Sequence, residues 1–276
     1  MRVAIVGLGL MGGSFGLSLK KSMREITIMG FDHNENHCKE ALKYALVDEI
    51  VTFEEVKRAD LIILAIPVEG VIASLENLTD ISKHTTIIDL GSTKAKIVEN
   101  TPAPIRKNLV AAHPMAGKEK FGPSAACDDL YEGQTVVLCD TKHSGERQLA
   151  LAIKVFEALK MDIVYMEDAK EHDLHAAYIS HLPHAISYAL ANSVLKQEDP
   201  KSILALAAGG FRDMSRIAKS SPQMWSDIFK QNSDNLLRTI GDFEKELALA
   251  KTMIEEEQWS DLEAWMQDAT TLHKIL

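Results

Sequence analysis

Cysteine, aromatic residues, long apolar runs and positive charge are all scarce in this chain, and each shortage removes a class of protein. Only three cysteines, Cys38, Cys127 and Cys139, occur in 276 residues. They are scattered, odd in number and without CxxC spacing, so they form neither a disulfide framework nor a zinc site and read as reduced thiols. No apolar run approaches the ~18 residues of a membrane-spanning helix. The first run, Val3–Val6, stops at Gly7 and lacks the apolar core of a signal peptide. Lys and Arg number 30 against 40 Asp and Glu, a formal net charge of −10. General nucleic-acid and anionic-membrane surfaces need a clustered positive field, so neither is expected as a partner. A small anionic substrate needs only a local basic pocket. With 46% hydrophobic and 25% charged residues, the composition is that of a globular protein long enough for two domains. A cytoplasmic location is expected.

What the chain does have is a regular alternation. Short aliphatic runs at residues 3–6, 27–31, 61–65, 86–90, 109–112, 135–138 and 163–166 recur between helical or loop-like polar segments. Runs that are apolar throughout suit strands buried on both faces of a parallel sheet, and strand alternating with helix means a doubly wound α/β domain. Beyond about Glu167 no β-rich run recurs. The rest is expected to be helical, with one long helix from about Met224 through Glu256 and another from Ser260 to the end. The expected boundary falls near Met166, giving domains 1–166 and 167–276.

The first run leads into Gly7-Leu8-Gly9-Leu10-Met11-Gly12. A GxGxxG carries weight only in context, and here it follows a Val-Ala-Ile-Val strand and opens a helix. Gly7 would make the tight turn, Gly9 admit a pyrophosphate and Gly12 let helix pack on strand, with N–H groups at the helix start binding phosphate. Asp32 closes the second strand, twenty residues beyond Gly12. An acid there accepts hydrogen bonds from ribose hydroxyls and repels a 2′-phosphate, so NAD is the expected cofactor.

Three further stretches carry chemistry. In Asp89-Leu90-Gly91-Ser92-Thr93-Lys94, Ser92 and Lys94 follow a strand at the end of the sheet where ligands bind; Ser92 also suits a helix cap. His113, in Ala112-His113-Pro114, follows another strand and can exchange a proton near neutral pH. From Glu171 to His184 a helix is expected to carry four histidines, with Asp173, Ala177, Ser180/His181 and His184 along one stripe. The spacing lacks HExxH, and no metal is expected. His172 and His175 are assigned to surface or packing, and His181 and His184, beside Pro183, to a site. Further on, Arg212 and Arg216 are four apart and would share a helix face suited to a carboxylate. The same spacing fits a solvated face with ordinary ion pairs, and the residues alone do not choose.

Taken in order, GLGLMGGSFG, DLGSTK, AHPMAG, SHLPH, GGFRDMSRIA and SPQMWSDIF resemble the prephenate dehydrogenase family, from residue 7 to about 229. Each stretch alone is modest, and the ordered set is specific. The resemblance implies a Rossmann sheet followed by an all-helical dimerisation domain, hence a homodimer. It also implies oxidative decarboxylation of prephenate to 4-hydroxyphenylpyruvate with NAD. By resemblance His113 takes the hydroxyl proton, Ser92 orients it and Arg216 grips a substrate carboxylate. His184 looks like a pocket residue, as do, less directly, Arg212 and Trp225. The rivals are arogenate as substrate and a non-catalytic NAD-binding sensor. No stretch is left for a fused chorismate mutase or a regulatory ACT domain, as expected of a two-domain version.

Overall fold

The computed structural model describes residues 1–275; Leu276, with which the expected final helix ends, lies outside the described residues. The first half runs β1 (Arg2–Val6), α1 (Leu10–Ser22), β2 (Thr27–Phe31), α2 (Glu35–Lys43), β3 (Glu49–Ile50), α3 (Phe53–Val56), β4 (Leu61–Leu64), α4 (Val68–Asn77), β5 (Thr86–Asp89), α5 (Ala95–Glu99), β6 (Leu109–Pro114), β7 (Thr135–Cys139), α6 (Glu146–Ala158) and β8 (Asp162–Met166). The eight strands form one sheet in the order β3-β2-β1-β4-β5-β6-β7-β8. All seven expected runs are strands. The eighth, β3, is only two residues long and carries no apolar run to announce it.

The sheet is not parallel throughout. β7 pairs antiparallel with β6, and β8 follows β7 in parallel. No crossover helix joins β6 to β7; residues 115–134 make that connection as a loop. An apolar run buried on both faces looks the same in either direction, so its composition does not reveal the reversal. The loop returns over α1, where Tyr131 Oη donates to the Met11 carbonyl at 2.8 Å and Cys127 N donates to Ser14 Oγ at 3.0 Å.

Two apolar layers sandwich the sheet. On one face Phe15 of α1 meets Tyr131 and Phe156 edge-on, with centroids 5.4 and 6.3 Å apart. On the other, Val68, Val71 and Leu75 of α4 pack with Ile62, Leu64 and Ile87. Burial of such side chains contributes about 1.5–3 kcal/mol each, so the strand ends are held on a rigid base.

The second half is α7 (Ala169–Ala176), a π-helical turn (Ala177–His181), α8 (Leu182–Leu195), α9 (Pro200–Ala205), α10 (Gly209–Ser215), a 3₁₀ turn (Arg216–Lys219), α11 (Pro222–Gln231), α12 (Ser233–Glu255) and α13 (Trp259–Thr270). Two expectations change here. The long helix from Met224 breaks at Asn232, whose side chain is drawn into the site described below. The histidine helix is interrupted by the π turn, which displaces the expected stripe; such turns recur where a helix serves a site. Among the described residues no helix is long and apolar enough to cross a membrane.

Candidate active site

At the carboxyl end of β1 the chain turns at Gly7, whose φ of +94° disfavours any side chain, and a methyl there would also collide with the Ala65 carbonyl. A methyl on Gly12 would strike the Gly7 carbonyl, whereas one on Gly9 would meet nothing within 4 Å. The three glycines therefore differ: two allow close packing, and one faces open space at the start of α1. No side chain caps that helix, which leaves its first N–H groups available to an anion. Leu8 is fully buried, and its N–H donates to Asp32 Oδ2 at 2.8 Å. Asp32 Oδ1 accepts from Asn34 N, also at 2.8 Å. The carboxylate is thus fixed beside the glycine turn, with lone pairs to spare for ribose hydroxyls. This arrangement fits a dinucleotide.

Two and three strands along from β1, β5 and β6 deliver the second cluster. Lys94 is fully buried and makes an ion pair with Asp89, and its Nζ donates to the Ala112 carbonyl at 2.7 Å. Burial pushes the Asp89 carboxyl up against the opposing pull of Lys94. Lys94 therefore braces the strand ends under His113 and does not point at a ligand, contrary to its sequence placement. Helix α5 is not capped by Ser92. The backbone N–H groups of Lys94 and Ala95 instead donate to Asp173 Oδ1 and Oδ2 of α7, at 2.7 and 2.9 Å. Ser92 is half-buried in the same loop and forms no hydrogen bond among the described residues.

His113 closes β6 with 9% exposure, and its Nδ1 lies 2.9 Å from Nε2 of His172. Burial first, then His172, Lys94 and His181, hold its pKa well below the ordinary value, so the ring is neutral at physiological pH. His172, assigned by sequence to surface or packing, is the buried partner of His113; only this long-range contact reveals it, and nothing local signals it.

The π turn, α8 and α11 supply a further aromatic cluster, His181, His184 and Trp225. His184 stacks on Trp225 with centroids 3.5 Å apart and planes 21° apart, while His181 meets Trp225 edge-on at 6.0 Å. Asn232 Nδ2 lies 3.1 Å from His181 Nδ1 and donates to the Asp173 carbonyl at 2.6 Å. Burial lowers the pKa of His181 to about 4 and also lowers that of His184. His181 Nε2 and Trp225 Nε1 are buried with no hydrogen-bond partner among the described residues. His113, His181, His184 and Trp225 thus come together. The arginines separate: α10 ends at Ser215, Arg212 Nε donates to the Ala207 carbonyl at 3.1 Å, and exposed Arg216 pairs with Glu119 of the β6–β7 loop. Arg216 thus has the ordinary ion pair that was one of the two readings of this spacing, and Glu119 was not foreseen. Among the described residues no three His, Cys, Asp or Glu side chains gather as a metal-ligand set.

A glycine-turn nucleotide site at one strand end, and a buried neutral histidine at the end of another beneath a helical half, define an NAD-dependent dehydrogenase of the two-domain kind. The family model of the prephenate dehydrogenase nucleotide-binding domain matches residues 15–165, and that of its dimerization domain residues 168–268. The chain belongs to the prephenate dehydrogenase family. Prephenate dehydrogenase of Bacillus subtilis (strain 168) is 33% identical over 274 residues, 97% of this chain and 74% of that protein. The crystal structure of prephenate dehydrogenase from A. aeolicus in complex with hydroxyphenyl propionate and NAD+ has a TM-score of 0.92 at 34% identity, covering 99% of this chain and 97% of that one. The crystal structure of Synechocystis arogenate dehydrogenase has a TM-score of 0.82 at 29% identity and covers 99% of each chain.

Proposed function

We propose that the chain oxidatively decarboxylates prephenate to 4-hydroxyphenylpyruvate in tyrosine biosynthesis, in the cytoplasm and as a homodimer. Residues 1–166 would hold NAD and residues 167–276 would supply substrate contacts and the dimer surface. The observation that carries this reading is His113: a buried, uncharged imidazole at a strand end, with one ring nitrogen occupied and the other free. A neutral ring can accept the proton of a substrate hydroxyl, the step that alcohol oxidation requires. Bound NAD would supply the hydride acceptor, held by the turn Gly7, Leu8, Gly9, Leu10, Met11 and Gly12 and by Asp32. Prephenate is a dianion, and Arg216, with Arg212 nearby in sequence, offers positive charge that an acidic chain otherwise lacks. Ser92, in the loop after β5 and without a hydrogen bond among the described residues, would orient the ring and the hydroxyl, while His181, His184 and Trp225 would line the ring side of the pocket. Loss of carbon dioxide follows from aromatisation, so orientation and one proton transfer are what the protein must provide.

The likeness to Synechocystis arogenate dehydrogenase favours one second reading, arogenate as substrate. NADH formation by the purified protein, offered prephenate and arogenate in parallel, tests both. Turnover of prephenate supports the proposal. Turnover of arogenate alone moves the substrate and keeps the chemistry, and silence toward both from NAD-binding protein leaves a sensor.

A further inference from the structure

The ring of His113 is one end of a three-residue chain. Beyond its contact with His172, Nδ1 of His172 lies 2.9 Å from Asp173 Oδ1. His172 and Asp173 are each 3% exposed, so water does not compete for these bonds. The direction of each bond follows from the groups. A carboxylate that takes N–H donors on both oxygens acts as acceptor, so Nδ1 of His172 carries a proton. With that one proton on His172, its Nε2 is an acceptor and Nδ1 of His113 donates to it. That leaves the lone pair of His113 on Nε2.

We propose that His172 and Asp173 are positioning residues, which fix His113 in the Nδ1–H tautomer so that Nε2 is the atom that receives the substrate hydroxyl proton. This rests on the reading of His113 as proton acceptor and extends it to residues that touch no substrate. In the transfer the O–H bond breaks, an N–H bond forms at Nε2, and oxygen keeps the electron pair. The new imidazolium still donates from Nδ1 to His172, whose far side faces the Asp173 carboxylate. The anchor is firm: Asp173 binds the start of α5 through the Lys94 and Ala95 N–H groups, and its carbonyl is held by Asn232. The charged and titratable groups facing His113 are Lys94 from the β5–α5 loop, His172 from α7 and His181 from the π turn, with Asp173 and Asp89 behind them. The break at Asn232 and the π turn both serve this network, which joins the two halves of the chain.

The test compares His172→Phe, which fills the space without an acceptor, with His172→Gln, whose side-chain oxygen can accept from His113. Partners that orient metal-bound histidines are worth about 10- to 100-fold, and a factor of that order is expected for His172. Turnover of His172→Phe should fall by that factor at unchanged KM for NAD, and His172→Gln should recover most of it. Nitrogen-15 spectra of the ligand-free wild type should show His113 protonated at Nδ1, and His172→Phe should lose that preference. Wild-type turnover in His172→Phe, or a wild-type His113 protonated at Nε2, would overturn the proposal. Should His172→Phe fail to fold, the wild-type spectrum and His172→Gln still decide. A wild type silent toward both substrates yet protonated at Nδ1 would sink the proposed reaction and leave the tautomer assignment standing.

Discussion

The two halves of the chain are built in opposite senses. In the sheet half the buried side chains are mostly apolar, the Lys94–Asp89 pair being the charged exception, and the central strands β4 and β6 are sealed along their whole length. In the helical half, among the described residues, the larger buried apolar side chains are only Trp225, Ile228, Leu236 and Met253. Besides these and the small Ala169, Ala176 and Ala177 it buries polar residues: His172, Asp173, His181, Ser187, Ser220, Gln231, Asn232 and Thr239. Its apolar residues lie outside, Leu206 at 86% exposure and Ile179 and Leu237 at 67% each. A unit with polar groups inside and apolar groups outside has little core of its own. Its inner side is organised by the site it shares with the sheet, and its outer side suits a second copy of the chain.

This contrast is broken most severely at the seam itself. Replacing His113 by Asn should lower turnover by ~10² to 10⁴ if it is the general base, with NAD affinity little changed, because the nucleotide turn lies on β1. Steady-state rates beside NADH titration by fluorescence check this; equal loss of rate and binding would mean that the two clusters are not separate. Second in size is Phe15→Ala in the sheet core, expected to cost about 3–5 kcal/mol and to weaken the whole chain, measured by denaturant unfolding. Third is the paired change Leu237→Glu and Leu247→Glu on the exposed face of α12. Single-chain stability should move by only about 0.5 kcal/mol, while sedimentation should show the proposed dimer giving way to monomer. If that variant unfolds as Phe15→Ala does, the helical half has an inner core after all. Arg216→Ala should act more narrowly, raising KM for prephenate more than it lowers kcat, since the guanidinium now meets only Glu119 at the surface.

The same contrast governs how much the sequence revealed. The sheet half is built from local signals: a strand ends, glycines permit a turn that no other residue would, and an acid closes the next strand. Its fold and its cofactor could therefore be read along the chain, save the two-residue β3 and the direction of β7. The helical half is built from distant meetings. His172 looks like any surface helix residue until β6 brings His113 against it, and Glu119 acquires meaning only when a loop brings it to Arg216. Asn232 breaks a helix without a glycine or proline, because its side chain is used by Asp173 and His181. Lys94 was misplaced for the same reason, its partners being Asp89 beneath the strand ends and a carbonyl on the neighbouring strand.

Acid should separate the two halves more gently than any substitution. In the sheet half Asp48 resists the burial that would raise it, because the Ile28 N–H and Lys20 hold it below the ordinary carboxylate range; Arg106 and His143 do the same for Asp140. A carboxyl whose folded pKa is lowered contributes stability that is lost only as pH falls from the unfolded value near ~4. At the seam the sign of the shift is the same, but the window is higher. Burial holds His113 and His181 neutral, the latter with a pKa of about 4, while in the unfolded chain each would protonate near ~6.5. Above that value neither state binds the proton and pH has no effect through these rings. Between ~6.5 and ~4 the unfolded chain takes up protons that the folded chain refuses, so stability falls as pH falls. Denaturation midpoints at neutral pH and at a pH just above the carboxylate range should therefore differ, and His181→Phe should flatten the difference. Hydrogen exchange over the same interval should open α7 and the π turn before β4 and β5, since the two buried rings held neutral, His113 and His181, lie at the seam. Equal opening of both regions would mean that the polar network is no weaker than the sheet it rests on.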